Sequence, residues 1–160
     1  CALLRLHTRF SGPASALPLG PPEEERPEDI VDEAIKSVRW NILFKNFEIL
    51  GDADRVLAYL TLWIQKCVAV ADQASGREDA TRQLETMAGE DMPGPGDSGF
   101  ELAKLFPDGG SPQECQTAKA YMKQLRQETL ARLLPTIYPD GVKNKWWFQF
   151  ARKKFMNFML

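Results

Sequence analysis

Groups that carry out chemistry are scarce in this 160-residue chain. His7 is the single histidine, and it sits in a proline- and glycine-broken stretch, where the expected role is ordinary surface or packing duty rather than proton transfer. Cys1, Cys67 and Cys115 are odd in number and show no CxxC spacing, so neither a disulfide framework nor a zinc site is indicated. Such usage fits a reducing, intracellular setting. No Walker-type phosphate loop, GxGxxG fingerprint, HExxH pair or GxSxG elbow occurs. The glycines of 94–99 alternate with proline, which removes the N–H groups that a phosphate cradle needs. Long apolar runs are missing too. The uncharged stretch Val56–Gln65 stops at Lys66, short of the roughly 20 residues that span a bilayer. Ala2–Leu6 is too short for a signal-peptide core, and a start at Cys1 rather than Met places the expected native start upstream. The net charge of −2 is too small to point to nucleic acid or to an acidic ligand. No catalytic residue, cofactor or metal is expected.

What is present is helical patterning. Asp54–Ala71 is apolar on most of its circumference, with Val56, Leu57, Leu60, Ile64 and Val68 on one stripe and Tyr59, Trp63, Cys67 and Val70 on the next. A helix of that kind, too short for a membrane, belongs at the centre of a helical domain. The expected class is therefore all-α, with about five helices, a central apolar helix surrounded by the others, and an extended N-terminal leader.

Residues 1–26 form that leader, because Gly12, Pro13, Pro18, Gly20, Pro21 and Pro22 break helices and Glu23–Glu25 repel one another. It should lie over a single all-α domain, 27–160, or be partly disordered. The first helix is expected from Pro27 to about Leu50, buried on two stripes that include Val38, Trp40, Phe44 and Phe47. Asp52 would cap the central helix, and Ser75-Gly76-Arg77-Glu78 would open a thinner third helix ending near Gly89. A proline- and glycine-rich loop follows, with one helical turn at Phe100–Leu105. Ser111-Pro112-Gln113-Glu114 is the cleanest start signal and predicts a long helix to Pro135, with Lys123, Arg126 and Glu128 on its outer side. Asn144 can cap a last helix, Lys145–Met159. No repeat or alternating run favours a sheet.

Charge is unevenly placed. Glu23–Glu33 holds seven acids against Arg26, and the pairs Glu28/Asp32 and Asp29/Glu33 read as a solvated face near a positive helix end. Gly141–Leu160 holds five bases and no acid. In that last segment Trp146, Trp147, Phe148, Phe150, Phe155, Met156 and Phe158 interleave with Lys143, Lys145, Arg152, Lys153 and Lys154. Three readings compete: bases stacked and phosphates neutralised along a nucleic acid, insertion among acidic lipids, or aromatics docked inward with the cations free for an acidic protein partner. A helical wheel groups Trp147, Phe150 and Ala151 on one side and favours the third, leaving Trp146 or Phe148 to pack elsewhere. The candidate protein-interaction residues are Lys143, Lys145, Trp146, Arg152, Lys153 and Lys154.

Several blocks, in one order, resemble a known family. They are Asp29-Ile30-Val31-Asp32-Glu33-Ala34-Ile35, Phe44-Lys45-Asn46-Phe47-Glu48-Ile49, Ala53-Asp54-Arg55 with Tyr59-Leu60-Thr61-Leu62, Ala120–Thr129, Lys145-Trp146-Trp147 and Phe155-Met156-Asn157. Together they resemble subunit 3, the small helical subunit, of the actin-related protein 2/3 complex. Residues 15–28 and 73–99 depart from the family pattern, and relatives carry a short polar tail beyond the position of Leu160. The resemblance implies a non-catalytic structural subunit, docked on actin-related protein 3 near the branch junction, with other subunits of the complex and actin filaments as partners. It further implies the cytoplasm and actin cytoskeleton as the location, with no nucleic acid and no membrane span.

Overall fold

The computed structural model describes residues 3–14, 27–43, 48–106 and 110–152, and every regular element among them is helical. The order is α1 (Ile30–Leu43), α2 (Asp52–Gln73), α3 (Arg77–Gly89), α4 (Pro112–Ile137), a 3-10 turn at Pro139–Gly141 and α5 (Lys145–Phe148). The all-α class read from the sequence is what the chain adopts. Helix α2 packs against α1, α3, α4 and α5, while α4 also meets α1 and α3. Trp63, Leu60, Ile64 and Cys67 of α2 have no exposed surface, as expected for a helix apolar on most sides. The Thr61 hydroxyl removes its own burial penalty by donating to Leu57 O at 2.8 Å.

Helix starts show which local signal wins where several compete. Helix α1 begins at Ile30, three residues later than Pro27 predicts, because the Asp29 carboxylate accepts from the N–H groups of Val31 (3.0 Å) and Asp32 (3.2 Å). It is helical to Leu43, and 48–50 are not helical, so the expected run to Leu50 is too long; Phe44 and Phe47 lie outside the described residues. Trp40, predicted inside, is 63% exposed. Gly51, not Asp52, is the N-cap of α2, and Asp54 reaches back to the N–H groups of Gly51 (2.8 Å) and Leu50 (3.0 Å), leaving Asp52 to pair with Arg55. At α3 the expected Ser75/Glu78 box is replaced by Asp79, which accepts from both the N–H and the hydroxyl of Ser75 at 3.1 Å. Helix α4 follows its sequence signal: Ser111 Oγ accepts from Glu114 N (3.3 Å), Glu114 accepts from Ser111 N (2.6 Å), and Pro112 takes the first position. It runs through Pro135 to Ile137, two residues past the expected end, since a proline in the last turn forfeits one hydrogen bond where the helix is closing anyway.

The leader is a strap over α4. Tyr121 Oη accepts from Leu4 N (3.1 Å), Gln124 Oε1 accepts from Ala14 N (2.9 Å) and Gln124 Nε2 donates to Phe10 O (2.9 Å). Leu6 and Ala14 enter the core. Gly12 is required by close approach, because a Cβ there would lie 2.4 Å from Gln124 Oε1 and 2.5 Å from its Cδ. Residues 15–26, including Glu23–Glu25, lie outside the described residues.

Candidate protein-interaction surfaces

Two arginines on α4, Arg126 buried and Arg132 mostly so, tie the elements together. Arg132 stands one turn beyond Glu128, and the start of α1 brings Asp29 and Asp32 to the same point. Arg132 Nη1 lies 2.8 Å from both Asp29 Oδ1 and Asp32 Oδ1, Nη2 donates to Asp29 Oδ2 at 2.9 Å and to His7 O at 2.5 Å, and Nε donates to Glu128 Oε1 at 2.8 Å. His7 N donates to Asp29 Oδ2 at 2.9 Å, and its Nε2 donates to Pro27 O at 2.9 Å. Burial works to raise the Asp29 pKa, but the hydrogen bonds from Arg132 and from His7 N–H outweigh it and hold the carboxyl below its usual range. Burial likewise works to lower the Arg132 pKa, and Asp29, Glu128 and Asp32 together drive it up instead. The acid pairs read as a solvated face are therefore divided: Glu28 and Glu33 are exposed, while Asp29 and Asp32 turn inward to the arginine. His7 is a packing residue, 4% exposed, as its place in the leader leads one to expect.

Arg126, expected on the outer side, is 3% exposed. Its Nη1 donates to Tyr59 Oη (3.0 Å), Nη2 to Glu90 O (2.7 Å) and Nε to Ala88 O (3.4 Å), and its guanidinium lies 5.7 Å from the centre of the Trp63 ring. It thereby caps the last carbonyls of α3 from across the core. Glu128, also expected outside, is drawn in by Arg132. Lys123 is exposed as predicted. Among the described residues, no group of three or more His, Cys, Asp or Glu side chains could hold a metal ion, and no helix is long and apolar enough to cross a membrane.

The basic aromatic segment is only partly a free surface. Trp147 is buried, with Arg39 stacked 5.9 Å from its ring centre, and Phe148 packs edge-on against Tyr138 at 5.6 Å. Lys143 donates to Asp72 O at 2.8 Å, closing the C-terminal end of α2, and lies 5.0 Å from the Phe148 ring centre. Asn144 caps α5 as expected, accepting from Trp146 N at 3.1 Å, but the helix ends at Phe148 and continues as turns rather than reaching Met159. Trp146 is 67% exposed, with Lys145 and Arg152 exposed as well. Lys153 and Lys154, like Phe155, Met156 and Phe158, lie outside the described residues.

Taken together, these features define an all-helical protein whose buried charges join its own elements and whose α5 corner offers an indole and cations outward. Comparison with known proteins gives the family. The model of the P21-Arc family, described as the ARP2/3 complex ARPC3 (21 kDa) subunit, matches residues 1–160. Proteins named actin-related protein 2/3 complex subunit 3 are 41% identical in Schizosaccharomyces pombe and 39% identical in Arabidopsis thaliana, each over 98% of this chain and 87% of the relative. The one from Dictyostelium discoideum is 39% identical over 97% of this chain and 86% of its own length. The chain belongs to the family of subunit 3 of the actin-related protein 2/3 complex.

Proposed function

We propose that this chain is a non-catalytic structural subunit of the actin-related protein 2/3 complex, docking on actin-related protein 3 in the cytoplasm and supporting nucleation of branched actin filaments near the branch junction. The observation that carries the reading is the family match along the whole chain. The chemistry of the site agrees with it, since the buried ionic groups are tied to one another and to backbone carbonyls across the elements. A subunit of this kind acts by adding binding free energy to one arrangement of its neighbours.

Lys145, Trp146 and Arg152 form the working edge toward an acidic actin-type surface, with Lys143 at the end of α2 as a further cation; Lys153 and Lys154, which the sequence adds as candidates, lie outside the described residues. An exposed tryptophan with cations beside it supplies an anchor and electrostatic steering. A nucleic acid or an acidic membrane would call for several outward aromatics, and the inward placement of Trp147 and the docking of Phe148 weigh against both. Replacing Trp146 with alanine together with K145E and R152E should lower recovery of the other subunits and reduce branch density. The loss should deepen as salt is reduced, because the reversed charges then repel over a longer range. Helical content should stay unchanged. Normal subunit recovery and branch density at every salt concentration would contradict the assignment of this edge.

A further inference from the structure

Helix α3 packs against α2 and α4, and between α3 and α4 lies an open groove of about 340 Å³ whose remaining wall is the strap at Arg9 and Phe10. The two helices run antiparallel there, since Arg126 reaches Ala88 O at one end while Arg77, about three turns earlier, lines the groove with Leu134 and Pro135. The floor is apolar, with Leu130 buried and Leu134 half-buried beside Ala88. Elsewhere on α3, Arg82 pairs with Asp79 one turn away. The charges that line the groove are not matched in this way: among the described residues Arg77 and Glu85 make no side-chain hydrogen bond or ion pair. Arg9 adds a second guanidinium to the wall, 5.7 Å from the centre of the Phe10 ring.

We infer that this groove seats an amphipathic helix of a neighbouring subunit, its apolar face on Leu130 and Leu134, with a carboxylate toward Arg77 and a cation toward Glu85. A helix suits the space because the walls are two antiparallel helices, whose side-chain ridges leave a furrow into which a third can pack. Charge complementarity selects the guest. A uniformly acidic segment would be repelled at Glu85, and a uniformly basic one at Arg77 and Arg9. Eight positions separate Arg77 from Glu85, about 12 Å of helix, so a guest lying along the groove carries its own two charges about two turns apart. The inference rests on the assembly reading, which supplies the neighbour.

The test uses the full chain in the complex purified from its own cells, with the photo-cross-linker p-benzoylphenylalanine in place of Gln127, a half-buried residue of the groove wall. After illumination, mass spectrometry should find the cross-link on a peptide of another subunit that carries apolar residues at helical spacing between an acid and a base. E85R, which breaks no side-chain contact within the chain, should lower the yield about fivefold, as expected where one exposed ion pair becomes a repulsion. Exchanging the facing base for an acid in the identified peptide should restore it. Without the cross-linker, E85R should speed hydrogen exchange of the α3 amides in the complex. No cross-link to another subunit, a peptide of one charge sign, or a yield and an exchange rate indifferent to E85R would overturn the groove's role. Subunit recovery, measured on the same sample before illumination, separates the two readings: normal recovery with no cross-link overturns the groove alone, whereas failed recovery in the unmodified chain overturns the assembly reading.

Discussion

A carboxylate that loses its water on folding stays charged only where cations or N–H groups replace that water, and Asp29 has both. Its folded pKa is depressed, so it contributes stability above its unfolded value of about 3.9, and that contribution disappears as pH falls through the folded value. D29N should therefore cost about 3 kcal/mol in urea unfolding at pH 7 and much less near pH 2. An equal cost at both pH values would contradict the pairing with Arg132. Arg126 makes a second case. R126M keeps the length and most of the volume but leaves Ala88 O, Glu90 O and Tyr59 Oη without their donor, and should cost about 2–4 kcal/mol in the same assay. A change within experimental scatter would show that water serves those acceptors equally well. Neither burial was legible in the sequence. The partners of Arg126 lie 36 to 67 positions away, so a helical wheel of α4 sees only a charge and turns it outward.

Elements were legible to the extent that one local signal stood alone. At α4 the serine cap, the proline and the glutamate all mark the same residue, and the helix starts there. Loss of that cap in S111A should lower stability by about 1 kcal/mol, read as a fall in the urea midpoint with an unchanged slope. At α1 and α2 the starts expected from Pro27 and Asp52 are displaced by a carboxylate that reaches two backbone N–H groups: Asp29 accepts from Val31 and Asp32, and Asp54 reaches back to Leu50 and to Gly51, the N-cap. The strap was legible as extended chain that could lie over the domain, but its point of attachment was not, because Gln124, which holds it, reads as one more polar residue on a helix. G12A pushes a methyl group into the Gln124 side chain and should release the strap. The expected sign is faster hydrogen exchange at the Ala14 N–H, with α2 amides unaffected; exchange equal to wild type would show that Gln124 yields without letting go.

For the whole molecule, the helical class followed from periodicity and from the absence of alternation, since a core apolar on every side needs neighbours on every side. The exterior is another matter. Lys143 and Lys145 look alike in the sequence and both are exposed, yet Lys143 reaches the Asp72 carbonyl and closes the end of α2, a distinction made by where α2 ends in space. The surface is also the part that an assembly subunit works through, so its partners have to be read from the assembly itself. The most direct measurement is the subunit stoichiometry of the tagged full chain purified from its own cells, by native mass spectrometry. The expected result is one copy of this chain in a complex containing both actin-related proteins. Recovery of the chain as a free monomer, or with partners that include neither, would contradict it.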